Sequence, residues 1–164
     1  MIKLRRLEMK DIKYMLEWMN YDETKLLFKN DFSLVNEQMA KLFIQNSFTK
    51  KNKHFAIVDD VNDEYLGTIS LKKIDTNNKN AEYAISTRKK ARGTGANLIA
   101  TKLLLEYAFD ELKLHKVYLN VLSTNKRAIN FYNKVGFNYE GTFKEFIVIN
   151  DMFCDLEWYG IINE

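Results

Sequence analysis

Between residues 88 and 97 the chain reads RKKARGTGAN. The cationic side chains Arg88, Lys89, Lys90 and Arg92 lead into Gly93, Thr94 and Gly95, and Ala96 and Asn97 open a long apolar-patterned run. Glycine lets a backbone approach an anion closely. A helix starting there would present N–H groups that have no intrahelical acceptor, at the positive end of its dipole. That chemistry suits a phosphate or pyrophosphate. Taken alone, the stretch reads more readily as an exposed basic turn, and its place between a strand and a strong helix is what favours the anion site. A dinucleotide-binding fold would need GxGxxG and a following acidic residue, and a Walker loop would need GK[ST]; neither pattern is present.

The elements around this stretch come from hydrophobic periodicity. IKLRRLE alternates as a first strand. Ile12, Met15, Leu16 and Met19 fall at helical spacing in a run predicted from Lys10 to about Lys29. A second helix follows in SLVNEQMAKLFIQNSF, with Ser33 as N-cap, Asn36 or Glu37 close by, and an apolar face of Leu34, Met39, Leu42 and Phe43. The period then shortens. HFAIVDD and EYLGTISLKKI read as a hairpin, and NAEYAIST as the next strand. NLIATKLLLEYAFDEL is the clearest helix, with Leu98, Ile99, Leu103, Leu104, Tyr107 and Ala108 along one side. KVYLNVLS is a buried strand. NKRAINFYNKVGF is a helix started by Asn125 and stopped by Gly136. FKEFIVIND and CDLEWYGII close the chain as two strands around an Asn-Asp turn. The class is α+β, and the strand–helix–strand over residues 81–122 supplies one parallel step.

Composition narrows the function classes. The 164 residues suffice for one domain, 1–164, with a core of its own and no visible linker. A net charge of +3 neither demands nor forbids nucleic acid, but the basic run lacks interleaved aromatics, so none is expected. No apolar run approaches the ~18 residues of a membrane span, and the N-terminus lacks a signal-peptide pattern. The single cysteine, Cys154, excludes an internal disulfide and a multi-cysteine zinc site; no metal is expected, and a reducing cytoplasm fits. Proline is absent, so turns must rely on Gly, Asn and Asp.

With the second half laid out, the chain resembles the GNAT superfamily of acyl-CoA-dependent N-acetyltransferases. RGTGAN is similar to that family's [RQ]-x-x-G-x-[GA] loop, with Arg92 first, Gly95 as the glycine, and Asn97 where the family has Gly or Ala. AEYAIST lies where the family's split strand runs. LNVLSTNKRAINFYNKVGFNYEG resembles the later motif through Asn125, Tyr132, Gly136 and Phe137. The matched region spans about residues 55–160, and the branch it is most similar to contains ribosomal-protein, spermidine and aminosugar-nucleotide acetyltransferases.

The resemblance implies a mixed, mostly antiparallel sheet of six to seven strands flanked by about four helices. It implies acetyl-CoA as cosubstrate, held by Ser86, Thr87, the loop Arg92–Asn97, Asn125 and Tyr132, and direct attack of an amine on the thioester. Tyr132, seven residues after Asn125 and on the same helix face, is the expected proton donor to the leaving thiolate, with core packing as its alternative role. Glu82 is the candidate base or a solvated strand-end charge. His54 is a weaker candidate, His115 reads as structural, and Cys154 reads as a core residue. Trp18, Tyr21, Asp22, Glu23 and Phe28 would border the acceptor, although Trp18 suits the core equally. The acceptor is a small-molecule amine, an aminosugar nucleotide or polyamine; the α-amine of a protein N-terminus is the alternative. An acyl-CoA-binding interaction module is the non-enzymatic one. The apolar strand CDLEWYGII points to pairing in a homodimer.

Overall fold

The computed structural model describes residues 1–21 and 35–164. In chain order the elements are β1 (Ile2–Arg6), α1 (Ile12–Met19), α2 (Glu37–Gln45), β2 (Lys53–Asp59), β3 (Tyr65–Asp75), β4 (Asn80–Thr87), α3 (Ala96–Glu106), β5 (Lys116–Leu122), α4 (Lys126–Val135), β6 (Asn138–Ile149) and β7 (Met152–Ile162). Ser33, Leu34, Asp22, Glu23 and Phe28 lie outside the described residues. The capping signal at α2 belongs to Asn36, whose side chain accepts the Met39 N–H at 3.0 Å.

The strands form one seven-stranded sheet in the order β1-β2-β3-β4-β5-β7-β6. Every neighbouring pair is antiparallel except β4 and β5, which run parallel. The architecture is therefore the α+β class expected, with the parallel step where the strand–helix–strand order placed it. The parallel step is short: it joins only Asn80–Glu82 to Lys116–Tyr118. Beyond it β4 continues along β3 to Thr87, and β5 continues along β7 to Leu122. The sheet opens between them.

Each face of the sheet carries its own core. Helices α3 and α4 cover one face, where Ile69, Leu71, Leu104, Val117 and Leu119 pack together. Helices α1 and α2 cover the other, through Met15, Trp18, Met19, Ala40 and Ile44 against Ala56, Val58 and Tyr65. Periodicity located the helices but misjudged parts of their faces. Ile99 and Leu42 are exposed, while Ala100, Thr101 and Ala40 are buried, because close helix–sheet approach selects small side chains. After Glu106 the helix widens into a π turn over Tyr107–Glu111.

Two expectations about the C-terminus change. Over Leu156–Gly160 strand β7 is paired on both sides, to β5 and β6, so that part of its backbone has no edge left for a partner; the edge strand is β6. Cys154 is half-buried rather than in the core, because it follows the exposed Phe153 and Met152 near the turn of the β6–β7 hairpin. Asn150 and Asp151 make the tight turn with φ of 50° and 62°. No helix among the described residues is long and apolar enough to cross a membrane.

The α1 face is anchored to β1 by one buried ion pair. Arg5 donates from Nη1 and Nη2 to both oxygens of Asp11, at 2.8 and 2.9 Å, and the Glu8 N–H donates to the same carboxylate. Asp11 is almost fully buried. Removing Asp11 leaves Arg5 with Asp63 as its remaining carboxylate and the Glu8 N–H without its acceptor, so Asp11→Ala is expected to lower unfolding free energy by about 1–3 kcal/mol. Replacing both residues by apolar ones should recover much of that loss. Urea unfolding of the single and double variants checks it.

Candidate active site

A cavity of about 360 Å³ lies where the sheet opens, on the α1/α2 face. Strand alternation builds its floor. On β3, Ile69 and Leu71 enter the α3/α4 core, which turns Thr68, Ser70 and Lys72 the other way, into the cavity. Their cross-strand partners on β4 are Ser86, Ala84 and Glu82, all of which line it. His54 joins from β2 and Asn120 from β5. Apolar side chains of α1 and α2, among them Met15, Trp18, Met39 and Phe43, form the wall. Asn125 and Tyr132 reach the cavity from α4, through the gap between the strands.

Six of the sequence-derived candidates thus meet in one cavity: Trp18, His54, Glu82, Ser86, Asn125 and Tyr132. Glu82 is not a solvated strand-end charge, since it is 2 % exposed. Its Oε1 accepts from Asn120 Nδ2 at 2.8 Å, and its Oε2 lies 3.5 Å from Lys72 Nζ and 3.6 Å from Lys73 Nζ. Asn125 caps α4, accepting the Ala128 N–H at 3.3 Å. Tyr132 stacks edge-on against Tyr83 and Phe137, and burial pushes its phenol up to about 12, so it keeps its proton at neutral pH.

Thr87 and the loop Arg92, Gly93, Thr94, Gly95, Ala96, Asn97 lie outside this lining and form a second feature beside it. Gly93 and Gly95 have φ of 74° and 84°, and a side chain at either would meet nothing within 4 Å, so the loop faces open space. The first bond into α3 is from the Ile99 N–H to Gly95 O, and the Ala96 N–H is taken by Thr94 Oγ1. Asn97 does not cap the helix. It donates from Nδ2 to Thr87 Oγ1 at 3.3 Å, and its Oδ1 is buried with no hydrogen-bond partner among the described residues. Asn97 therefore bridges the loop to the end of β4.

The backbone phase of β4 decides which groups face the gap. The Arg88 N–H donates to Leu66 O on β3, whereas Lys79 O accepts from the β5 side, from His115 and Lys116. Alternation then directs the N–H groups of Tyr83, Ile85 and Thr87 toward β5 and that of Ser86 toward β3. Beyond the three paired positions the N–H groups of Ile85 and Thr87 find no strand. Ser86 contributes its side chain to the cavity, not its N–H to the gap. Gly67 keeps this end of β4 close, because a Cβ there would sit 2.6 Å from Ser86 O.

The basic rim is smaller than the sequence implied. Arg88 is spent on Glu17 at 2.7 Å and Glu64 at 3.2 Å and lies over the Tyr14 ring. Lys90 pairs with Glu64 at 2.6 Å, and Lys89 sits over Tyr21. Trp18 belongs to the core, donating to the Tyr65 hydroxyl at 3.1 Å, and also lines the cavity. His115 is exposed and away from the cavity. Thr68, Ser70, Lys72 and Asn120 were missed. Their signal was polar residues alternating with Ile69, Leu71, Leu119 and Val121 on strands covered on both faces.

With this geometry in view, comparison with known proteins is informative. The acetyltransferase (GNAT) domain profile matches residues 2–138. Spermidine N(1)-acetyltransferase of Escherichia coli is 29 % identical over 153 residues, covering 93 % of this chain and 81 % of that protein. Acetyltransferase PseH of Campylobacter jejuni is 24 % identical, covering 89 % of this chain and 90 % of that protein. The crystal structure of spermidine N-acetyltransferase from Vibrio cholerae in complex with CoA and spermine superposes with a TM-score of 0.88 at 24 % identity, covering 98 % of this chain and 95 % of that one.

The His54 ring is held at 2.6 Å from Ser70 Oγ, against Phe43. Burial first, and then the charge of Lys72, lower it from 6.5 to about 4. The unfolded chain therefore takes up a proton near pH 6.5 that the folded protein refuses until about pH 4. The associated stability is complete above that window and is lost as pH falls through it, on the order of 2–3 kcal/mol. His54→Gln should flatten this part of the pH–stability curve, measured by urea unfolding at about pH 7 and about pH 4.5. Parallel curves for the two proteins would exclude the assignment.

Proposed function

The chain belongs to the GNAT acetyltransferase family, and we propose that it moves an acetyl group from acetyl-CoA to the primary amine of a small molecule, an aminosugar nucleotide or a polyamine. The observation that carries the reading is the gap between β4 and β5, which has the glycine loop beside it and the Glu82–Tyr132 cavity opening from it. Acetyl-CoA supplies an acyl group activated as a thioester. The loop fits its pyrophosphate: Gly93 and Gly95 leave space, the Asn97 and Leu98 N–H groups lack intrahelical acceptors, and Arg92 adds charge. Asn97 Oδ1 is an acceptor placed for a donor on the same ligand.

The N–H groups of Ile85 and Thr87 take the role of a missing strand, donating to the pantetheine arm and polarising the thioester carbonyl. Glu82, directly or through a water, receives the proton of the acceptor ammonium and leaves a nucleophilic amine. Tyr132 donates to the departing thiolate; its raised affinity for the proton keeps that proton available throughout the neutral range. Holding both reactants across one opening makes the step effectively unimolecular. A cavity of about 360 Å³ matches a small amine better than a peptide chain. Acetyl transfer to spermidine, the amine named for the Escherichia coli relative, and to an aminosugar nucleotide is the direct trial of this reading.

The whole of residues 1–164 is taken as one acetyltransferase domain working in the cytoplasm. We assign its pairing as a homodimer to the β6–β7 hairpin, where Phe143, Phe146, Val148, Met152 and Phe153 are exposed.

Thiol release from acetyl-CoA in the presence of spermidine, an aminosugar nucleotide and an N-terminal peptide tests the activity. Binding without transfer to any of them would leave only a CoA-binding module. Tyr132→Phe is expected to reduce kcat about 100-fold or more while the acetyl-CoA-induced thermal shift persists. Unchanged kcat would remove Tyr132 from the chemistry. Gly95→Val, strained at φ 84°, should instead raise the KM for acetyl-CoA.

A further inference from the structure

In a regular strand Lys72 and Lys73 would point to opposite faces and could not share a partner. Here the β3–β4 register slips between Lys72 and Asp75, and Lys73 adopts φ of 51°. The bulge turns the second lysine toward the first, so that both ammonium groups stand within 3.6 Å of Glu82 Oε2. Lys72 lies directly across from Glu82 and lines the cavity; Lys73 is 71 % exposed at its outer side. A left-handed lysine in a bulged strand is uncommon and is sustained by what it positions.

We propose that Lys72 and Lys73 are resident cations at the place the acceptor ammonium takes beside Glu82, and that they set acceptor specificity by rejecting polycations and admitting amines of low positive charge. The inference rests on the reading of Glu82 as the carboxylate that meets the acceptor amine. One carboxylate balances about one cation, and every further positive charge brought within a few ångströms is repelled. A singly charged amine displaces Lys72 from Glu82 and restores the balance. A polyamine brings more cations into a cavity whose described lining holds one carboxylate, Glu82, facing two lysines. The remaining lining suits a body that is apolar on one side and hydroxylated on the other: Trp18, Met39 and Phe43 face Ser70, His54 and Asn120.

The test compares Lys72→Met, Lys73→Met and the charge-retaining Lys72→Arg with the unmodified protein, after equal thermal midpoints confirm folding. Initial rates are taken with spermidine and with glucosamine. In parallel, each amine is titrated calorimetrically into CoA-saturated protein. Lys72→Met should lower the spermidine KM and dissociation constant by about tenfold, move those of glucosamine less than about threefold, and leave the KM for acetyl-CoA unchanged. Lys73→Met should act in the same direction but less, and Lys72→Arg should behave as the unmodified protein. Equal shifts for both amines, or none, overturn the proposal. Absence of acetyl transfer to every amine would instead defeat the activity reading. The calorimetry decides the lysine assignment in either case: tighter spermidine binding by Lys72→Met supports it, and unchanged or undetected binding in both proteins overturns it.

Discussion

Two parallel strands that pair over three residues and then part leave a row of backbone donors and acceptors with no strand to meet. Everything functional in this chain is arranged around that deficit. Strand β4 is held on its other side by β3 through Thr87, and β5 by β7 through Leu122, so neither strand can lean across to close the gap. A ligand that is itself an extended chain of amides is the natural complement to such an opening, and the glycine loop at the start of α3 lies next to it.

The opening also connects two environments. On the α3/α4 face, Tyr132 sits among Tyr83, Phe131 and Phe137, in surroundings that disfavour charge and keep its phenol protonated. On the α1/α2 face, Glu82 stays beside two lysines and the Asn120 amide. A phenol and a carboxyl group are thereby held on opposite sides of one sheet, meeting only where the strands separate. The buried Arg5–Asp11 pair and the Arg88–Glu17–Glu64 cluster fasten α1 to the sheet, and so fix the wall of the cavity relative to its floor.

Much of this was legible in the linear chain because it depends on neighbours in sequence. The caps Asn125 and Gly136, the glycines of the loop, the β6–β7 turn and the helix carrying Tyr132 all express local backbone chemistry. The charge run RKKAR was legible as charge but not as function. Whether Arg88 and Lys90 serve a ligand or an ion pair depends on Glu17 and Glu64, which lie far away along the chain.

The sequence by itself determined the order of strands and helices, the family motifs and the identity of the groups able to move protons, since period, capping and residue type are read within a few residues. Only the tertiary structure decided how those groups are used. Strand phase turned the Thr87 N–H into the gap and the Ser86 N–H away from it. Pairing on both sides took the backbone edge from β7 over Leu156–Gly160. A bulge that no residue pattern announces set Lys72 and Lys73 beside Glu82. Register and bulging are properties of two strands at once, and no single stretch of residues carries them.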